Sequence, residues 1–184
     1  LKDIRIETDA TAALTVCADE VTIYAEGSNT LTGIGTSGIA NYNSSHLPIC
    51  GDGTLSVTGN AYLAVEGSLY ISGPSVTVTG ADGIWGDVSM DSGELTVIGT
   101  THAGIRGDVD LYGGTLTVTG GEIRNATETA TAQTGGVIYT IGSMSISNAT
   151  ISGGNASKSP SGGGIAVAGG STATISDSVL NAGW

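Results

Sequence analysis

Two short segments carry the residues best suited to chemistry: Ile84-Trp85-Gly86-Asp87-Val88 and Ile105-Arg106-Gly107-Asp108-Val109, offset by 21 residues. That offset stacks Asp87 against Asp108 if the chain coils once per repeat. Two carboxylates held so close repel unless a cation or hydrogen bonds compensate. Calcium draws oxygens from carboxylates and backbone carbonyls, and a turn supplies both. Asp87 and Asp108, with Asp82 and Asp110 as neighbours, are therefore the candidate calcium ligands. The competing reading is that these aspartates only cap turns, as Asp commonly does. Trp85, Arg106 and Tyr139 form the candidate carbohydrate-binding set. An exposed aromatic ring offers a flat platform to the C–H face of a sugar, and a guanidinium fork suits a uronate carboxylate. The plain alternative is a surface cation–π pair between Arg106 and Trp85.

The elements that would position these residues come from a repeat. Thr54-Leu-Ser-Val-Thr-Gly59, Ser75-Val-Thr-Val-Thr-Gly80, Glu94-Leu-Thr-Val-Ile-Gly99 and Thr115-Leu-Thr-Val-Thr-Gly120 close on glycines 21, 19 and 21 residues apart. A fixed period on this scale marks stacked units, each burying its apolar face on the next. Each unit reads as three short strands between Gly-, Asn- or Asp-bearing turns. The fold expected is all-β: a right-handed parallel β-helix, or β-solenoid, of about six coils in one domain. Residues 1–13 read as an N-terminal cap and 14–184 as coils, with loop insertions at 125–134 and 155–162. Alternation puts Ile39, Leu63, Ile84, Ile105, Ile138 and Ile165 in one inward row. Its outward partner is Ala40, Ala64, Trp85, Arg106, Tyr139 and Ala166. Open coil ends expose strand edges, so association through the ends is also expected.

A second outward row, Ser56, Thr77, Thr96 and Thr117, is flanked by Thr58, Thr79 and Thr119. Such ladders are similar to the ice-binding faces of some antifreeze β-solenoids. They are also what a solvent-facing row looks like, because Thr combines β propensity with polarity. A ladder of four rungs, interrupted at Ile98, favours the ordinary reading.

Composition excludes several classes. The chain carries 17 acidic and 5 basic residues, a net charge of −12, and so lacks the basic footprint that nucleic acid requires. No apolar run is long enough for a transmembrane segment. Cys17 and Cys50 do not make a disulfide framework, and no Cys/His cluster suggests zinc. Phe is absent, as suits a narrow core filled by stacked aliphatic rows.

The run Cys17–Gly33 and the segment Gly51-Asp-Gly-Thr-Leu-Ser-Val-Thr-Gly59 resemble the opening coils of bacterial cell-surface right-handed parallel β-helix proteins. These are often described as carbohydrate-binding domain-containing, and some are pectate-lyase-like helices. The resemblance covers roughly residues 11–120 and implies a polysaccharide partner and an extracellular or cell-surface setting. A lyase of that kind would use calcium on aspartates and an arginine as base. Here the short turns leave no cleft walls, and only Arg5, Arg106 and Arg124 are present to clamp uronates. His46 and His102 accompany no nucleophile motif. No catalytic residue is assigned. The expected function is non-catalytic binding of a polysaccharide, acidic and calcium-assisted. A structural stalk or adhesin repeat is the second reading and a polysaccharide lyase the third.

Overall fold

The computed structural model describes residues 1–35, 37–99, 103–119, 122–124, 138–140, 143–147, 150–153, 165–167, 170 and 172–182. Among these residues all regular structure is β, and no helix is long and apolar enough to cross a membrane. Parallel strands wind into a three-faced β-solenoid, as the repeat implies. The expected loops at 125–134 and 155–162, and His102, lie outside the described residues.

The stretch Leu69–Trp85 shows how the sequence folds locally. Val76 and Val78 point into the core, while Ser75, Thr77 and Thr79 alternate outward and stay partly exposed. β-branched residues suit this pleated, half-buried surface. The next coil repeats the pattern in register, with Val76 beside Leu95 and Val78 beside Val97. Each inward aliphatic side chain removed from water contributes roughly 1.5–3 kcal/mol, so the columns dominate the stability of the stack.

One face, the threonine face, is built from Arg5–Thr8, Ser28–Gly33, 54–59, 75–80, 94–99, Thr115–Thr119, Ser143–Ser147 and Thr172–Ser176. Its inward column is Ile6, Leu31, Val57, Val78, Val97, Val118, Ile146 and Ile175, in consecutive register, buried from Leu31 to Ile146 and exposed at Ile175. The hydroxyl ladder beside it runs from Thr30 to Thr174, well beyond the four rungs expected. The N-terminal segment is part of this face, because Arg5–Thr8 pairs with Thr30–Gly33 as the first strand.

The other two faces are named here for the residues they carry. The arginine face holds Ala12–Val16, Ser37–Asn41, 63–66, 82–85, Ala103–Arg106, Glu122–Arg124, Thr150–Gly153 and Val179–Ala182. The tyrosine face holds Ile23–Ala25, Leu47–Gly51, 69–72, 88–92, Val109–Leu111, Ile138–Thr140 and Ile165–Val167.

Two differences from the expected rows have physical causes. Ile39 aligns with Val65 and Val65 with Ile84, because the register shifts between Gly59 and Leu63. Leu63 instead aligns with Asp82. The second cause is the strand Glu122–Arg124, which follows Ile105-Arg106 on the arginine face. Omitting it moves Ile138 and Ile165 onto the wrong face. They stack on Val109 of the tyrosine face, while the Ile105 column continues through Ile123, Ile151 and Leu180.

The corner before the threonine face is set by backbone contact. Gly51 and Gly73 have φ of +113° and +115°, and a Cβ on Gly73 would lie 2.2 Å from the Gly51 carbonyl oxygen. Only glycine fits there, because it lacks the Cβ and tolerates positive φ.

A candidate ligand-binding edge

The arginine and tyrosine faces meet at a corner made of Gly67-Ser68, Gly86-Asp87 and Gly107-Asp108. Backbone bonds hold this column: Leu69 N–H donates to the Asp87 carbonyl at 2.9 Å and Val88 N–H to the Asp108 carbonyl at 2.8 Å. Side chains reinforce it with bonds that run the opposite way along the stack. The backbone N–H of Asp87 donates to Ser68 Oγ at 3.0 Å, and that of Asp108 donates to Asp87 Oδ1 at 2.8 Å. Each corner side chain thus accepts from the coil that follows.

Asp87 and Asp108 stack as their spacing implies. Asp108 Oδ1 and Asp110 Oδ1 are buried and without a hydrogen-bond partner. Burial, then the Asp87 charge, then the Asp110 charge push the Asp108 carboxyl up to about 6. Asp110 is also raised, by burial and by Asp87, with His46 acting in the opposite sense. Asp82 stands apart at the other end of the 82–85 segment. It is 5% exposed, and its Oδ1 accepts a 2.8 Å hydrogen bond from the backbone N–H of Ala103. It is a structural cap there and does not join the other three.

On the arginine face one row reads Thr15, Ala40, Glu66, Trp85, Arg106, Arg124, Ser152 and Asn181. Trp85 is 44% exposed, and the Arg106 guanidinium lies over its ring, 4.5 Å from the centroid. Trp85 and Arg106 therefore meet as expected, in the cation–π arrangement. Arg106 Nε is buried with no hydrogen-bond partner. Tyr139 does not belong to this row: its backbone pairs with Asp110 and Ala166 on the tyrosine face. Arg124 takes the place expected for Tyr139. The repeated dipeptides Ile105-Arg106 and Ile123-Arg124 were the signal for it.

Among the described residues no group of three or more His, Cys, Asp or Glu side chains is arranged to hold a metal ion. Cys17 and Cys50 are free thiols, exposed and half-buried respectively.

No protein-family model matches the chain, and no curated protein or solved structure shows significant similarity to it. The class that the fold defines is the parallel β-solenoid. What the edge can do chemically rests on the residues themselves: an exposed indole, a guanidinium fixed above it, and carboxylates one corner away.

Proposed function

We propose that the protein binds an acidic, uronate-containing polysaccharide without cleaving it, along the row Trp85, Arg106 and Arg124. The register of Arg106 with Arg124 carries this reading. A chain with only 5 basic residues against 17 acidic ones places two of its arginines on neighbouring strands of one row. Strands lie about 4.8 Å apart, so this backbone register sets two basic residues one rung apart, a placement that suits an anionic chain. Trp85 would take the apolar face of a sugar at the edge of the stacked guanidinium. Among the described residues no second cleft wall or base accompanies these three, and the reading is binding rather than lysis.

Calcium is the proposed assistant, drawn to the carboxylates of Asp87, Asp108 and Asp110, which by themselves do not form a metal cage. The orphaned Oδ1 atoms of Asp108 and Asp110 support this, since a cation would satisfy both. The fit is partial. Carbonyls, water and ligand carboxylates would complete the coordination shell. A polysaccharide partner implies an extracellular or cell-surface setting.

Electrophoresis through gels containing polygalacturonate, with calcium or with chelator, tests the reading. The protein should be retarded, more so with calcium, and Arg106→Ala should abolish the retardation. Unretarded wild-type protein under both conditions would overturn the proposal and leave the structural stalk. A rise in absorbance from unsaturated uronates would favour the lyase.

A further inference from the structure

The tyrosine face carries aromatic residues at a regular interval that the uronate reading does not use. Tyr24 lies on the strand Ile23–Ala25, Tyr70 two strands on in 69–72, and Tyr112 a further two strands on, directly after Val109–Leu111. Tyr24 is 61% exposed and Tyr112 40%. Along the stack, successive members are thus two strand spacings apart, about 10 Å.

The three are also brought toward one line. Tyr24, Cys50 and Ser72 occupy the same register position on successive strands. The register shifts at the next strand, so Ser72 pairs with Ser92 and Asp91 bulges between Met90 and Ser92; Tyr112 directly follows Leu111, the partner of Met90. Tyr70 starts two residues short of that column. Its hydroxyl donates to Asp91 Oδ2 at 2.6 Å, which leans the ring toward the line and fixes it. The small side chains of Cys50 and Ser72 leave the floor between the rings low.

We infer that this track binds a neutral, extended, β-1,4-linked polysaccharide, with Tyr24, Tyr70 and Tyr112 each under every second sugar. An extended β-1,4 chain turns over at each residue, so it presents the same face once per disaccharide, a length close to two strand spacings. Aromatic rings supply broad apolar contact with little side-chain entropy to lose. Charge selects a neutral chain. The described part of this face has no lysine or arginine, and it carries Asp91 and Asp110. This site shares a ligand class with the proposed function but not its residues.

Calorimetric titration of the whole protein with cellohexaose and maltohexaose, which differ only in linkage geometry, tests it. Cellohexaose should bind and the curled α-linked maltohexaose should not. Tyr24→Ala combined with Tyr112→Ala should weaken cellohexaose binding by about tenfold or more. Tyr70→Phe, which keeps the ring but releases it from Asp91, should weaken it by about threefold. Both changes lie at the surface, and unchanged melting temperatures would confirm intact folds. Absent binding, equal binding of both sugars, or indifference to the tyrosine changes would overturn the inference. Polygalacturonate retention is read in parallel. Wild-type protein that binds cellohexaose but not polygalacturonate keeps this inference and removes the uronate reading.

Discussion

The backbone N–H of Asp108 donates a 2.8 Å hydrogen bond to Oδ1 of Asp87, one coil earlier. The bond makes the two carboxylates unequal. Asp87 Oδ1 has a backbone donor, while Asp108 offers a buried Oδ1 that nothing meets. The strain of the stacked pair therefore falls on Asp108.

A pH dependence results. The Asp108 carboxyl is raised from 3.8 to about 6 in the folded chain. Across that window the folded state holds more proton than the unfolded, so stability falls as pH rises through it. The penalty is complete above the folded value and absent below the unfolded one. Asp108 is half exposed, which reduces the effect to about 1 kcal/mol. Asp108→Asn should raise the melting temperature near neutral pH by about 2–4 °C in the presence of chelator. The gain should vanish at about pH 3.5. Scanning calorimetry at both values checks this, and an equal gain at each would refute the assignment.

Asp82 should behave as a structural residue. Asp82→Ala leaves the buried Ala103 N–H without its acceptor, at a cost of about 1–3 kcal/mol. Denaturant unfolding should show this loss, while calcium titration heats should match the wild type. A calcium heat lost with Asp82→Ala would restore it to the cation site.

Asn29 interrupts an otherwise aliphatic column, at the register position of Leu55 and Val76. It is 1% exposed. Its Nδ2 donates to the carbonyls of Glu26 and Thr54, and its Oδ1 accepts from the Ile4 N–H, each at 3.1 Å. Asn29→Leu should complete the apolar column yet destabilise the protein by about 2–3 kcal/mol, because buried backbone groups lose their partners. Amide exchange at Ile4 should accelerate. A more stable variant with protected Ile4 would show that burial outweighs these bonds.

Gly73→Ala should cost about 2–4 kcal/mol, from positive φ and from a Cβ driven into the Gly51 carbonyl. Gly170→Ala, also at positive φ but with open space around it, should cost less. Equal losses at both would mean that backbone conformation alone governs the corner.

The sequence made the ladder legible wherever a strand was long enough to alternate. Leu95-Thr-Val97 and Leu116-Thr-Val118 declare their inward and outward sides directly. The 21-residue offset likewise placed Arg106 beside Trp85 and Asp108 beside Asp87. Glu122–Arg124 escaped because three residues, one of them the inward Ile123, hold too little alternation to be seen. That single omission carried Tyr139 onto the wrong face. The register shift after Gly59, which exchanged Leu63 for Val65, is equally silent in the alternation. The tyrosine track was hidden for another reason. Its interval is constant in strands but not in residues, so it emerges only once the strands are counted.

That missed strand also bears on engineering. Arg124 ends one strand and Ile138 begins the next, yet Val109 still pairs with Ile138 and Ile123 with Ile151. The rungs themselves, Val109 with Ile138 and Ile123 with Ile151, are thus what a designer must preserve when rewriting these strands.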